Sequence, residues 1–167
     1  MKSIISTKSN FFENAIEHRF ISDTILFGWN NYQKEVGLLR CEVDNAGFDL
    51  VFKCDGVFRF IQLKSSGLNS KRSYQKFNTA LLENENPCIV WVQYAYNFKR
   101  ADIDQKYLFW GSDVGKSAPD ISHYSIPKGK KSASGEPKLL LNVRNIPRGA
   151  FIEVSADDLF RKLFFQT

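Results

Sequence analysis

Asp49, Gln62 and Lys64 interrupt two segments that otherwise read as core, "FDLVFK" and "VFRFIQLKS", joined at Asp55-Gly56. A carboxylate, a carboxamide and an ammonium on half-buried strands are costly unless they satisfy one another or a ligand. Their types suit chemistry on a phosphate. The Asp49 carboxylate, the Gln62 side-chain oxygen and the backbone carbonyl of Leu63 are hard donors for a divalent cation. A helical carboxylate, Glu17, would add a second negative charge directly or through water. Lys64 would then steady charge developing on a phosphate oxygen, or assist deprotonation of the attacking water if its pKa is lowered. Without a ligand, the same residues make a buried salt bridge and a hydrogen-bonded amide.

Spacing gathers the three. Asp-Gly is a strong two-residue turn signal. With Asp55-Gly56 as the loop, Cys54 faces Val57, and counting back sets Asp49 opposite Gln62. Opposed residues of an antiparallel pair share a face, and Lys64, two residues on, joins them. Val51 and Phe60 back this polar group. Phe48, Leu50, Ile61 and Leu63 are expected on the opposite face, with Arg59 a misfit near the turn that could reach solvent.

The surrounding elements must hold that hairpin in place. Asn10 and Glu13 look like a capping box that opens a helix over "FFENAIEHRFISDTILFGW". Phe12, Ile16 and Phe20 give it a buried stripe, and Glu13 and Glu17 form a row beside that stripe. Gly28 and Asn30-Asn31 are expected to end it. Glu35–Asp44 reads as a first strand and "NAG" as a turn. After the hairpin, "QKFNTALLEN" predicts a short helix stopped at Asn86-Pro87, and "CIVWVQYAY" a central strand. "KYLFWG", "KLLLNV" and "AFIEVS" read as further strands, and residues 115–137 as a basic loop. Ser155 caps a last helix with Asp157 and Asp158 in its first turn. The fold class is α/β: a central mixed sheet flanked by helices, in one domain over residues 1–167.

"FDLV" followed by "FIQLKS", behind a helix carrying Glu17, resembles the PD-(D/E)XK nuclease superfamily, in the variant with Gln in place of the second acid. The resemblance covers residues 10 to 95. It implies a restriction-endonuclease-like core and a Mg²⁺ (or Mn²⁺) dependent endonuclease acting on DNA, in restriction, phage defence or repair. Glu17, Asp49, Gln62 and Lys64 are the implied catalytic set, with the metal on Glu17, Asp49, Gln62 and the Leu63 carbonyl. Phe48 stands where the family's eponymous proline would be, and Gln62 removes one negative charge. The alternative is a catalytically inactive binding module of the same fold. Asp44 is a rival metal ligand close to Asp49.

Charge and composition fit without deciding. The formal charge is +5 over 167 residues, and the pI is about 9.1, which permits a nucleic-acid partner. Ser65, Ser66, Lys71, Arg72, Gln75 and Lys76, with Lys128, Lys130 and Lys131 further on, are the candidate nucleic-acid contacts. Trp91 and Trp110 read as core, not as base-stacking platforms. The 3 cysteines indicate no disulfide framework, and 2 histidines cannot supply a histidine-rich metal site. No apolar run spans a membrane and no signal peptide is evident, so the cytoplasm is the expected compartment. Cutting both strands of a duplex would call for a homodimer.

Overall fold

The structure, a computed structural model, describes residues 9–40, 47–131 and 137–166. Cys41, Glu42, Asp44, most of the "NAG" turn and the centre of the basic loop lie outside that set, as does the Asn10 side chain of the expected capping box.

Helix α1 covers Ser9–Tyr32. Ile16 and Phe20 are fully buried and Phe12 partly so, as the stripe requires. The helix does not end at Gly28. A Cβ there would lie 2.9 Å from the Phe160 ring and 3.0 Å from Val36, so glycine serves close packing, not termination. Termination comes later, at Gln33, whose φ of 51° lets the Lys34 amide donate back to the Gly28 carbonyl at 3.1 Å.

Strands β1 (Gly37–Arg40), β2 (Leu50–Cys54) and β3 (Val57–Gly67) form an antiparallel meander. The first strand is shorter within the described residues than the expected Glu35–Asp44. Asp55 and Gly56 both take positive φ, 47° and 82°, as a type I′ hairpin demands. Cys54 pairs with Val57, so the register read from the turn holds through Leu50 and Ile61.

Residues 68–86 then cross one face of the sheet, and β5 (Pro87–Asn97) runs parallel to β3. The helix expected in this crossover is absent. Strand β4 (Tyr74–Asn78) and a 3₁₀ helix (Thr79–Glu83) stand there instead. Tyr74 to Phe77 alternate exposed and buried, a period of two. The backbone of β4 is satisfied by pairing with β9 (Val143–Pro147), and Asn78 caps the 3₁₀ helix by accepting from Ala80 N at 3.0 Å.

Strands β6 (Asp102–Gly111) and β10 (Ile152–Val154) complete a six-stranded mixed sheet in the order β1-β2-β3-β5-β6-β10. Part of the expected basic loop is ordered as β7 (Lys128–Lys131) against β8 (Pro137–Leu139). Ser155 caps α2 (Ala156–Phe164), accepting from Asp158 N at 3.0 Å.

Two cores lie on opposite faces of the sheet. Both helices pack on one, over Leu50, Phe52, Ile61, Val90 and Phe109. The crossover covers the other, with Phe77, Leu81, Ile89, Trp91 and Trp110. Both tryptophans are therefore core, and Trp91 Nε1 donates to Ser66 Oγ at 2.9 Å. Phe48 belongs to the crossover core and packs on Phe60 at 5.0 Å between ring centres, not on the face of Leu50. Arg59 does not reach solvent. It is fully buried beside Phe109, and its Nη2 donates to the Ser112 carbonyl at 2.6 Å. Among the described residues no helix is long and apolar enough to cross a membrane, and the described cysteines, Cys54 and Cys88, are free and buried.

Candidate active site

Strand β2 begins at Leu50, while β3 continues past Ile61 to Gly67. Beyond that pair no strand among the described residues continues the ladder on this side of β3. Asp49 sits where β2 gives out. Its amide donates to the Ile61 carbonyl at 2.9 Å, and its carboxylate accepts from the Leu63 amide at 2.6 Å. The pairing thus slips by a residue at Asp49 instead of continuing straight across to Gln62. Along a strand the N–H and C=O of one residue point to the same edge. The Leu63 carbonyl therefore faces the same side as the amide that Asp49 holds.

Gly47 fixes the approach to Asp49. It has φ 75°, and a Cβ there would lie 2.4 Å from the backbone nitrogen of Leu81. Only glycine allows the chain to pass this close to the 3₁₀ helix before reaching the acid.

The gap beside β3 opens into a cleft of about 780 Å³. Asp49, Leu63, Lys64 and Ser65 line it, with Glu13, Asn14 and Glu17 of α1 from one face of the sheet and residues 71–76 of the crossover from the other. The expected Asp49, Leu63, Lys64 and Glu17 thus border one space. So do Lys71, Arg72, Gln75 and Lys76 from the basic stretch. Gln75 reaches the cleft from a strand, not from the start of a helix, and is 2 % exposed.

Burial pushes the Lys64 ammonium below the usual lysine range; the Asp49 charge works against that, Arg72 adds to it, and Glu13 opposes it. Glu13 borders the cleft as Glu17 does. It and Glu17 lie four residues apart on the same row of α1, about 6 Å along the axis, and sequence alone does not separate them. In the structure Glu13 acts on Lys64, while Glu17 lies 3.3 Å from Arg40 Nη2.

Gln62 shares the face of Lys64 but is 8 % exposed and does not line the cleft; its Oε1 has no hydrogen-bond partner among the described residues. Ser66 is not available to a phosphate, being buried with its hydroxyl on Trp91. Ser65 borders the cleft. Lys128 and Lys130 stand on β7, outside the cleft lining, and the Lys131 side chain lies outside the described residues.

The donors around the cleft are all oxygen: the carboxylates of Asp49, Glu13 and Glu17 and the Leu63 carbonyl. Such a set fits a hard ion, Mg²⁺ or Mn²⁺, better than zinc. No three His, Cys, Asp or Glu side chains converge to hold an ion by themselves among the described residues. A cation on Asp49 and the Leu63 carbonyl would therefore keep several waters, which is the habit of Mg²⁺.

No family model, no curated protein and no solved structure matches the chain.

Proposed function

We propose that the protein is a metal-dependent nuclease that hydrolyses DNA phosphodiester bonds in this cleft, on a restriction-endonuclease-like core. One observation carries the reading: Asp49 and Lys64 border one cleft at the unpaired edge of β3, and Lys71, Arg72 and Lys76 line the same space. The order of elements supports it, with an acid-bearing helix first, Asp49 at the mouth of the second strand, and Gln62 and Lys64 on the third.

The basic residues at 71, 72 and 76 bind the phosphates that flank the scissile one. Lys64, half-buried, sets a positive charge where water screens it least, so charge developing on a phosphate oxygen is offset at close range. The Leu63 amide orients the Asp49 carboxylate, which leaves less rotamer freedom to lose on binding. A divalent ion on Asp49 and Leu63 supplies acidification of the attacking water and polarisation of the phosphate. Glu13, on the far wall, is placed to accept a proton or hold water there.

A second reading, a binding module without turnover, draws support from Gln62 lying buried off the cleft and from Glu17 engaging Arg40. A nuclease assay separates the two. Plasmid, linear, branched and single-stranded DNA are incubated with Mg²⁺, Mn²⁺ or EDTA. Cleavage that EDTA abolishes supports the enzyme. DNA binding without cleavage in either metal, and no metal uptake by calorimetry, supports the module.

A further inference from the structure

We infer that the cleft takes an unpaired nucleic-acid strand, with one base stacked on Tyr74. The inference rests on reading the cleft as a nucleic-acid site and does not depend on turnover there.

Tyr74 lines the cleft and is 42 % exposed. It stands on β4 two residues before Lys76 and two after Arg72, and all three border the cleft. That is the composition of a single-strand platform: cations follow the backbone while an aromatic face holds a base of any sequence. The ring is also presented rigidly. Strand β4 is paired along its length, with Tyr74 opposite Pro147, and the adjacent Ser73 carbonyl accepts from Arg148 N at 2.8 Å. An exposed aromatic on a paired strand loses little freedom when a base settles on it.

Two further observations point to one strand instead of a duplex. The volume, about 780 Å³, falls in the range of small-ligand sites. That is room for nucleotide-sized groups. The two walls also differ in sign. Lys71, Arg72 and Lys76 lie on the side of Tyr74, while Glu13 lies on α1 across the cleft. One phosphate chain is attracted to the first wall; a second chain alongside would be driven against the carboxylate.

Binding in EDTA tests this without any requirement for cleavage. Fluorescence anisotropy is followed with labelled oligothymidylate and oligouridylate of about 16 nucleotides, a duplex of equal length, and an oligoglutamate peptide. The expected result is tighter binding of the single strands than of the duplex. Tyr74→Ala should weaken single-strand binding by about tenfold while Tyr74→Phe retains it. The salt dependence should have a slope of about −2 for the three cations, reduced by about 0.7 in Lys76→Ala. Relative affinity for the two oligonucleotides assigns DNA or RNA as the preferred strand. Both Tyr74 variants should melt with the parent, since the side chain is exposed. Duplex bound as tightly as single strands, or Tyr74→Ala binding like the parent, overturns the inference, even if the protein cleaves plasmid. Single-strand binding that depends on Tyr74, without cleavage in any metal, upholds it and removes the nuclease reading. Preference for the acidic peptide overturns both.

Discussion

The carboxylate of Asp49 holds the backbone amide of Leu63 at 2.6 Å, across the point where β2 ends and β3 goes on alone. The same group therefore has a structural partner and a position in the cleft. Asp49→Asn keeps an acceptor for the amide and loses the charge; Asp49→Ala loses both. Urea unfolding is expected to show a loss of about 1 kcal/mol for alanine and less for asparagine. Cleavage of single-stranded DNA in Mg²⁺ should fall below detection in both. An Asn variant that cleaves at the parent rate would remove Asp49 from the chemistry.

Burial works against the charge of Lys64. Its burial lowers its pKa, so the folded chain binds that proton less firmly than the unfolded chain does, and the group costs stability at neutral pH. Lys64→Met, which keeps the length and drops the charge, should melt at the same temperature as the parent or higher, and should not cleave. A stable variant with full activity would assign the charge stabilisation elsewhere.

Gly28 lies under the ring of Phe160, and this contact ties α1 to α2. Gly28→Ala gains helix propensity but puts a methyl group inside the contact distance of a buried ring. Overpacking should win, with a net loss of about 1–2 kcal/mol measured by thermal or urea unfolding. A variant as stable as the parent would mean that the helices part without cost.

Arg59 is fully buried, and its Nε and Nη1 have no hydrogen-bond partner among the described residues. A buried charge so incompletely satisfied stabilises poorly compared with an apolar side chain of similar length. Arg59→Met should leave the urea midpoint unchanged or raise it, by about 1 kcal/mol in stability, even though the Ser112 carbonyl loses a donor. A marked fall would mean that the guanidinium is worth more to the fold than its contacts imply.

Acid should loosen the link between α1 and α2. The Tyr32 hydroxyl donates to Asp157 Oδ1 at 2.5 Å and Arg161 Nε to Oδ2 at 2.8 Å, and these bonds hold the Asp157 carboxyl below its usual range. A depressed carboxyl stabilises the fold above its unfolded pKa, about 3.9, and that contribution is lost as pH falls through the lower folded value. Asp157→Asn should show a shallower loss of stability below about pH 4 than the parent, read from urea midpoints across the acid range. Parallel curves would remove Asp157 from acid unfolding.

Local chemistry made much of this legible. Asp55-Gly56 fixed the hairpin register because a two-residue turn with both φ positive leaves one way to pair the strands. "CIVWVQYAY" is a strand buried on both faces, and an uncharged run of that kind has few other uses. The crossover was not legible. Phe77 and Leu81 fit a helical spacing, and the partner that makes residues 74–78 a strand lies at 143–147, far along the chain. The burial of Arg59 is illegible for a similar reason: the end of β6 and Ser112 close over it, and nothing near it in sequence says so. Tyr74 carried a weak local signal, an aromatic within a basic run, whose meaning depends on the cleft that the fold builds beside it.

Gly47 makes the acid answerable to a part of the chain that does no chemistry. The backbone there passes so near Leu81 that a methyl group would push the two segments apart, and Asp49, two residues on, would travel with the displaced one. Position 47 is thus a remote adjuster of the carboxylate: a change there would detune the centre while leaving every reacting group chemically intact.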